Sequence, residues 1–189
     1  MSRLVLLDRD GTINVDYNYL SHPDQLKLFP QTADAIRIFH DLNLLVIVVT
    51  NQSAVGRGYF DLKRLYEIHD RLYAILRAAG TTINAIYFCP HSPKDNCHCR
   101  KPSTKMAEWA SKDFDAELSK SFVIGDNVCD IQLGKNISAT TVLVRTGHGA
   151  QVEQEKQIIP DYIVENLFEA ACLIKGILND DTKNNQVSD

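Results

Sequence analysis

Short runs of apolar residues alternate along this chain with longer segments in which apolar residues recur at helical spacing. The short runs predict strands at residues 3–7, 44–49, 83–88, 122–124, 141–144 and 162–164. The longer segments predict helices at residues 32–42, 61–79, 103–112, 130–136 and 167–178. Strands that alternate with helices are typical of a parallel sheet covered by helices on both faces. The pattern therefore predicts an α/β fold of three layers around a Rossmann-like parallel sheet.

The chain has the length of one domain, and nothing in the pattern divides it. Its 189 residues can bury one sizeable core, and the sequence contains no internal repeat, no linker-like stretch and no second apolar core. We therefore expect a single domain over residues 1–178, without a separate cap domain. The polar residues 179–189 are expected to form a frayed C-terminal tail.

Polar side chains follow several predicted strands at the point where each strand ends. Asp8 and Asp10 follow the first strand, Thr50 ends the second, and Asp126 follows the fourth. Ligands of open parallel sheets bind beyond the carboxyl ends of the strands. These side chains are therefore expected to share one site.

Asp8, Asp10 and Asp126 have the chemistry of a divalent cation site. Asp8 and Asp10 are one residue apart, and side chains two positions apart in extended backbone point the same way. Two carboxylates in one pocket repel each other unless a cation or a proton intervenes. With Asp126 they suit Mg²⁺, a hard cation that prefers oxygen ligands. The alternative interpretation of Asp-Arg-Asp-Gly is a turn in which aspartate caps the backbone.

A second cluster holds three of the five cysteines, Cys89, Cys97 and Cys99, together with His91 and His98. Three thiolates and one imidazole suit a tetrahedral Zn²⁺, and either histidine could be the fourth ligand. The alternative is a reduced cluster without metal. An odd number of cysteines argues against a disulfide framework, which fits a reducing compartment.

Composition and charge exclude several classes of protein. With 44% hydrophobic and 23% charged residues, the chain is not predicted to be disordered. Its formal net charge of −4 argues against nucleic acid as a partner. Apolar runs are too short to span a membrane, and the N-terminus becomes charged too early for a signal peptide. We therefore expect a cytoplasmic protein without a membrane partner.

The motifs together resemble those of the haloacid dehalogenase superfamily of aspartate-nucleophile phosphatases. Residues 8–12 (Asp-Arg-Asp-Gly-Thr) resemble its first signature, and Thr50 at the end of an apolar strand resembles its second. Lys101 resembles the third signature, and residues 125–126 with Asp130 resemble the fourth. The four motifs occur in the family's order over about residues 3–148. This combination is far more specific than any one of them.

The resemblance implies roles for individual residues. Asp8 would attack phosphorus and form an aspartyl-phosphate, while Asp10 would act as general acid and then general base. Asp8, Asp126 and the backbone carbonyl of Asp10 would hold Mg²⁺. Thr50 and Lys101 would bind phosphate oxygens and stabilise the transferring group.

The cysteine loop resembles the zinc loop of two phosphatase groups in this superfamily, one acting on heptose bisphosphate and the other on histidinol phosphate. The resemblance favours His91 as the fourth ligand, with Cys89, Cys97 and Cys99. Four protein ligands leave no open position, so this zinc would be structural. Its expected task is to hold the loop in the place from which Arg100 and Lys101 point at the substrate.

Other segments resemble the heptose group, and their residues would bind a phosphorylated sugar. Hydrogen-bonding groups suited to a polyhydroxylated sugar are supplied by Asp16, Tyr19, Asn51, Gln52 and Ser53. Arg100 suits a second phosphate because its guanidinium can bind two oxygens at once. Residues 16–19 could instead be an ordinary surface loop. Asn127 stands where the heptose group usually has a lysine that touches the substrate.

The resemblance thus implies a monomeric, Mg²⁺-dependent phosphatase that removes the phosphate at position 7 of a heptose bisphosphate. Such an enzyme would serve the synthesis of lipopolysaccharide core or a related glycan. A histidinol phosphate phosphatase is the second hypothesis. A third, from another class, is a zinc-stabilised binding module without catalysis.

Overall fold

Within residues 2–186, which the computed structural model describes with side chains as far as residue 180, one parallel sheet of six strands forms the centre of the fold. The strands are β1 (Arg3–Leu7), β2 (Leu44–Asn51), β3 (Ala85–Cys89), β4 (Phe122–Gly125), β5 (Thr140–Val144) and β6 (Tyr162–Val164). Their order across the sheet is β3-β2-β1-β4-β5-β6. The predicted three-layer α/β fold with a parallel sheet is confirmed.

Helices cover both faces of the sheet. They are α1 (Thr32–Asp41), α2 (Ser53–Gly56), α3 (Leu62–Ala78), α4 (Lys105–Asp113), α5 (Val128–Asn136), α6 (Gly149–Glu155) and α7 (Leu167–Gln186). Buried residues of α1, α3 and α7 share one apolar cluster with Val5 and Leu7 of β1. Buried residues of α4 and α5 share another with Leu4 and Leu6, on the opposite face. Because successive strand residues point to opposite faces and both faces are covered, β1 is apolar and buried from residue 4 to residue 7.

Two helices were not predicted, and one is longer than predicted. The segments that form α2 and α6 are too short to show a helical period, and α6 buries only Gly149 and Val152. Helix α7 was expected to end at residue 178 but continues to Gln186. The added residues are polar, so they carry no apolar period, and they extend an existing helix without a new nucleation step. Residues 187–189 of the predicted tail lie outside the described residues.

The strand order reverses between β1 and β4, which are neighbours in the sheet although far apart in sequence. Connections leave this point in opposite directions, so a crevice opens beyond the carboxyl ends of these two strands. The backbone N–H of Asp8 donates to the carbonyl of Ile124 at 3.0 Å. This bond fixes the start of the loop after β1 at the seam. No helix among the described residues is long and apolar enough to cross a membrane.

Candidate functional site

A pocket of about 210 Å³ lies in the crevice beyond β1 and β4. It is lined mainly by polar side chains from the loops that follow the strands. They are Asp8, Asp10, Asp16, Asn18, Thr50, Asn51, Arg100, Lys101, Asp126, Asn127, Cys129, Asp130 and His148. The structure thus brings together the strand-end residues expected to share a site.

Three carboxylates and one ammonium group occupy the base of the pocket. Oxygen atoms of Asp8, Asp126 and Asp130 lie within 4.8 Å of one another. The Nζ of Lys101 lies 2.5 Å from Asp8 Oδ1 and 2.6 Å from Asp130 Oδ1, and it donates to the carbonyl of Val49 at 2.7 Å. One ammonium cannot neutralise three carboxylates, so the cluster keeps an excess of negative charge.

Burial and the neighbouring carboxylates together raise the pKa of two of these aspartates. Burial, more than any other cause, raises the pKa of Asp8 to about 7, against the opposing charge of Lys101. Burial together with the carboxylates of Asp8 and Asp130 raises the pKa of Asp126 to about 8. A divalent cation among these oxygens would remove the like-charge repulsion and replace the protons. The donor set therefore fits Mg²⁺.

Asp126 is held from both sides by tightly fitting backbone. Its carboxylate accepts hydrogen bonds from the backbone N–H of His148 at 2.8 Å and from the Thr12 hydroxyl at 3.4 Å. Gly11 and Gly147 lie against it with φ angles of +91° and +58°. A Cβ atom at either position would overlap the Asp126 carboxylate. The carboxylate therefore has one orientation, which is what a metal ligand requires.

Replacing Gly11 with alanine is expected to weaken Mg²⁺ binding by roughly 10–100-fold, because the new methyl group must displace the Asp126 carboxylate. Isothermal titration with Mg²⁺ measures the change. Gly58→Ala is the matched control, since Gly58 also has a positive φ of +75° but open space where the methyl group would go. Equal Mg²⁺ affinity in Gly11→Ala and the wild type would contradict the role of this close packing.

Asp10 enters the pocket with its carboxylate already engaged. Asp10 Oδ1 accepts from Arg9 Nε at 3.1 Å and from Asn14 Nδ2 at 2.9 Å. Asp10 Oδ2 accepts from Arg9 Nη2 at 2.6 Å and from Gln52 Nε2 at 2.9 Å. Burial by itself would raise the pKa of Asp10, but the charge of Arg9 and these hydrogen bonds outweigh burial and lower it. The Asp10 side chain is not among the clustered carboxylates; its predicted contact with Mg²⁺ is through the backbone carbonyl.

The residues at the end of β2 hold neighbouring groups of the site in place by hydrogen bonds, and only some of them line the pocket. The Thr50 hydroxyl faces the pocket and accepts from Gln52 Nε2 at 2.9 Å. Asn51 accepts from the backbone N–H of Lys101 at 3.0 Å and donates to its carbonyl at 3.3 Å. Gln52 is buried, and Ser53 begins α2. Of the predicted sugar-binding residues on this segment, only Asn51 lines the pocket.

Two residues that precede helices stand at the edge of the pocket: the charged Arg100 before α4 and the polar Asn127 before α5. Arg100 lines the pocket, and its Nη1 is buried without a hydrogen-bond partner among the described residues. Asn127 caps α5, accepting from the backbone N–H of Cys129 at 3.5 Å. Its backbone N–H donates to Asp130 at 3.0 Å. Asn127 thus fits the N-terminus of α5 well, but it supplies no charge.

The loop after β1 forms the opposite edge. Asp16 lines the pocket and lies 3.3 Å from His148 Nε2. Tyr19 does not reach the pocket: it is 40% exposed, and its ring packs edge-on against Tyr59 at 4.8 Å. No role for His148 or Asn18 was predicted from the sequence. His148 could have been predicted, because it lies in the loop that follows β5 and ligands bind beyond the carboxyl ends of parallel strands.

The cysteine loop forms a compact cluster beside β3. Cys89 Sγ lies 3.4 Å from Cys97 Sγ and 3.6 Å from His91 Nδ1, and Cys99 Sγ lies 3.3 Å from that nitrogen and 3.8 Å from Cys97 Sγ. Sulfur atoms at about 2.3 Å from one zinc ion lie about 3.8 Å apart in a tetrahedron. His98 is exposed and is not part of the cluster.

The four ligands fit a closed metal site. Burial and the neighbouring Cys99 thiol raise the pKa of the Cys89 thiol, so a cation is needed to keep Cys89 as a thiolate. The cluster is tied to the pocket by short stretches of chain. The backbone N–H of Gln52 donates to the carbonyl of Cys89 at 2.7 Å, and Lys101 lies two residues after Cys99.

Comparison with known proteins identifies relatives over almost the whole chain. A family model described as HAD-hydrolase-like matches residues 98–170. The chain is 36% identical to the D-glycero-beta-D-manno-heptose-1,7-bisphosphate 7-phosphatase of Neisseria meningitidis over 162 residues, which cover 85% of this chain and 87% of the relative. It is 33% identical over 184 residues to the protein of the same name from Pasteurella multocida, covering 94% of this chain and 99% of the relative.

A solved structure is similar in fold as well as in sequence. It is the D,D-heptose 1,7-bisphosphate phosphatase of B. bronchiseptica, complexed with magnesium and phosphate. The TM-score is 0.86 at 31% sequence identity, and the match covers 94% of this chain and 99% of that chain.

Proposed function

The chain belongs to the heptose 1,7-bisphosphate 7-phosphatase family of HAD-like hydrolases, and we propose that it removes the 7-phosphate of a D-glycero-D-manno-heptose 1,7-bisphosphate in the presence of Mg²⁺. It is a phosphoric monoester hydrolase. The observation that carries the proposal is the meeting of the Asp8 and Asp126 carboxylates with the Lys101 ammonium at the switch point of the sheet. The product, a heptose 1-phosphate, would serve the synthesis of lipopolysaccharide core or a related heptose-bearing glycan.

Asp8 is the proposed nucleophile. A carboxylate oxygen of Asp8 forms a bond to phosphorus while the bond from phosphorus to the sugar oxygen breaks, which leaves an aspartyl-phosphate. The ammonium of Lys101, 2.5 Å from Asp8, favours the charged carboxylate against the opposing effect of burial and holds it in place. A water molecule then attacks phosphorus, which releases phosphate and regenerates Asp8.

Asp10 is the proposed acid and base. The charge of Arg9 and the hydrogen bonds keep Asp10 ionised in the free protein, so it would take up a proton when the negatively charged phosphate ester binds and raises its pKa. In the first step its carboxyl group would then give this proton to the departing sugar oxygen, and in the second its carboxylate would take a proton from the attacking water. Its position two residues after Asp8 places both groups in the same pocket.

The remaining residues would bind the phosphate. The Thr50 hydroxyl and the Lys101 ammonium donate to its oxygens and stabilise charge in the transition state. Asp8, Asp126 and the backbone carbonyl of Asp10 would hold Mg²⁺, which neutralises phosphate charge and orients the group for attack. Asp130 supports this arrangement through its contact with Lys101 at 2.6 Å.

A second phosphate on the substrate is supported by Arg100. A buried guanidinium nitrogen without a partner is unfavourable, and an anion in the pocket would satisfy it. Asp16 and Asn51 at the pocket edge offer acceptors and donors to sugar hydroxyls. Tyr19, Gln52 and Ser53 are not among the residues that line the pocket, so we assign them no contact with the sugar.

We further propose that Cys89, His91, Cys97 and Cys99 hold a structural Zn²⁺. All four positions of a tetrahedral ion are filled by protein atoms, so no position is left for water or substrate. The metal would fix the loop that carries Arg100 and Lys101. Thiols of this kind persist in a reducing compartment, which supports a cytosolic location. That the enzyme is a monomer stays a prediction.

A substrate panel tests the proposal. In Mg²⁺, we expect kcat/KM for heptose 1,7-bisphosphate to exceed that for heptose 7-phosphate and for histidinol phosphate by about 10²-fold or more. Both anomers of the bisphosphate belong in the panel. Equal kcat/KM for all sugar phosphates would contradict the assignment of heptose bisphosphate as the substrate. A preference for histidinol phosphate would favour a histidinol phosphate phosphatase. No hydrolysis of any compound would leave the binding module as the better hypothesis.

The variant Arg100→Met, assayed with the same panel, tests whether Arg100 binds the second phosphate. It should lower kcat/KM for the bisphosphate by roughly 10-fold or more while leaving heptose 7-phosphate almost unchanged, because only the bisphosphate carries the group that Arg100 binds. An equal loss on both compounds would mean that Arg100 acts through the loop and not through the second phosphate.

A further inference from the structure

A fully buried guanidinium stands directly behind the pocket. Arg9 lies between Asp8 and Asp10 in sequence, and its side chain has no exposed surface. It donates two parallel hydrogen bonds to the Asp10 carboxylate, from Nε to Oδ1 at 3.1 Å and from Nη2 to Oδ2 at 2.6 Å. Arginine is rarely buried this completely unless it is paired.

Gln52 joins this pair to the phosphate-binding side of the pocket. Its Oε1 accepts from Arg9 Nη2 at 3.1 Å. Its Nε2 donates to Asp10 Oδ2 at 2.9 Å and to the Thr50 hydroxyl at 2.9 Å. One buried amide therefore connects the proposed acid and base with a proposed phosphate ligand. Neither Arg9 nor Gln52 lines the pocket.

The surroundings of Arg9 give this network little value for stability alone. Arg9 Nη1 and the nearby buried His69 Nε2 have no hydrogen-bond partner among the described residues. Burial, and secondly the charge of Arg9, lower the pKa of His69 to about 3, so this imidazole is neutral and does not compete for the proton or the charge. A buried ion pair with an unsatisfied nitrogen is often no more stable than apolar residues of the same size.

The network does restrict one flexible torsion angle, the rotation of the Asp10 carboxyl group about its last side-chain bond. The last torsion of an aspartate side chain is broad, so a carboxyl group can rotate freely unless donors fix it. Proton transfer to a leaving oxygen needs a carboxyl oxygen within hydrogen-bond reach. A planar fork that binds both oxygens fixes that rotation, which a lysine ammonium cannot do.

Building on the proposed phosphatase function, we propose that Arg9 and Gln52 are positioning residues. They fix the orientation of the Asp10 carboxyl group relative to the Thr50 hydroxyl, so that Asp10 can transfer a proton to the departing sugar oxygen. In that step Asp10 loses its proton to the oxygen as the bond from phosphorus to oxygen breaks and the bond to Asp8 forms. Neither Arg9 nor Gln52 touches the substrate.

Leaving groups of different quality test this role. A sugar alkoxide needs a proton to depart, whereas 4-nitrophenolate departs without one at neutral pH. We expect Arg9→Lys, which keeps the charge but loses the two parallel N–H donors, to lower the rate of aspartyl-phosphate formation from heptose 1,7-bisphosphate by about 10²-fold in rapid-quench measurements. On 4-nitrophenyl phosphate the rate of this first step, measured as the burst of 4-nitrophenolate, should change by less than about 3-fold, and KM for the bisphosphate should stay nearly constant. The comparison uses the first step alone because Asp10 also acts as base in the second step, which is common to both compounds.

Gln52→Met should give the same unequal loss with smaller size, and it decides the matter if Arg9→Lys does not fold. Arg64→Lys is the matched control, because Arg64 pairs with Glu67 on the surface of α3 and should leave both activities unchanged. Equal losses on both compounds, or no loss on either, would overturn the positioning role. A wild-type protein that hydrolyses neither compound would overturn the proposed function and this inference with it.

Discussion

The Asp8→Asn variant is expected to lose turnover of the heptose bisphosphate by a factor on the order of 10⁴ or more, because an amide cannot form the aspartyl-phosphate. Steady-state assays in Mg²⁺ measure the loss. Rapid quenching followed by mass spectrometry should find a phosphoryl group on the peptide that contains Asp8 in the wild type and none in the variant.

This loss should not come from unfolding. The pKa of Asp8 is raised to about 7, mainly by burial, from an ordinary value of 3.8. The folded, metal-free protein therefore binds more protons than the unfolded chain between these values, and the contribution of Asp8 to stability falls as pH rises through that window. A neutral asparagine removes this unfavourable charge, so the melting temperature of metal-free Asp8→Asn at neutral pH should not be lower than that of the wild type.

Asp24→Asn is the matched control for this experiment. Asp24 carries the same functional group on a side chain that is 86% exposed, so the same chemical change there should leave turnover intact. If Asp8→Asn retained a substantial part of the wild-type rate, a direct attack of water on the substrate would replace covalent catalysis as the mechanism.

Loss of a ligand in the cysteine cluster is expected to have the largest effect on stability. Cys97→Ser should abolish stoichiometric zinc, measured by atomic absorption, and lower the melting temperature by about 10 °C or more. The estimate follows because structural zinc contributes several kcal/mol to folding and each kcal/mol shifts a domain of this size by about 2–4 °C. Cys97 is only partly buried, so the change opens no large cavity in the core.

The control is Cys172→Ser, which alters an exposed thiol on α7. It should keep both zinc and melting temperature. Chelation gives an independent check: EDTA should first remove activity that added Mg²⁺ restores, and only prolonged treatment with a zinc chelator should lower the melting temperature. Simultaneous and irreversible loss of activity and stability would contradict the separation into a catalytic and a structural metal.

Both metal clusters could be predicted from the sequence, each for its own physical reason. Asp8, Asp10 and Asp126 each follow a buried strand, and the geometry of a parallel sheet brings such positions to one edge. Cys97 and Cys99 are so close in sequence that little chain is needed to bring them together. Strands were predicted well because residues buried on both faces must be apolar throughout.

Other features depend on which element packs against which, and no local pattern encodes that. The sequence predicted that Gln52 contacts the substrate, whereas in the structure Gln52 is buried and bonded to Asp10 and Thr50. It gave Arg9 no role, because alternation along β1 says only that Arg9 points away from Asp8 and Asp10. Arg9 can bind both oxygens of Asp10 because its side chain is fully buried between Asp10 and Gln52, which follows β2 in sequence.

The order of apolar and polar residues by itself determined the three-layer architecture, the edge of the sheet that carries the pocket, and the residue types that can hold its metals. Only the tertiary structure decided which side chains are exposed in the pocket and which support it from behind. The physical reason is that strand alternation and helical period are local properties, whereas the burial of a charge and the direction of its hydrogen bonds are set by elements distant in sequence.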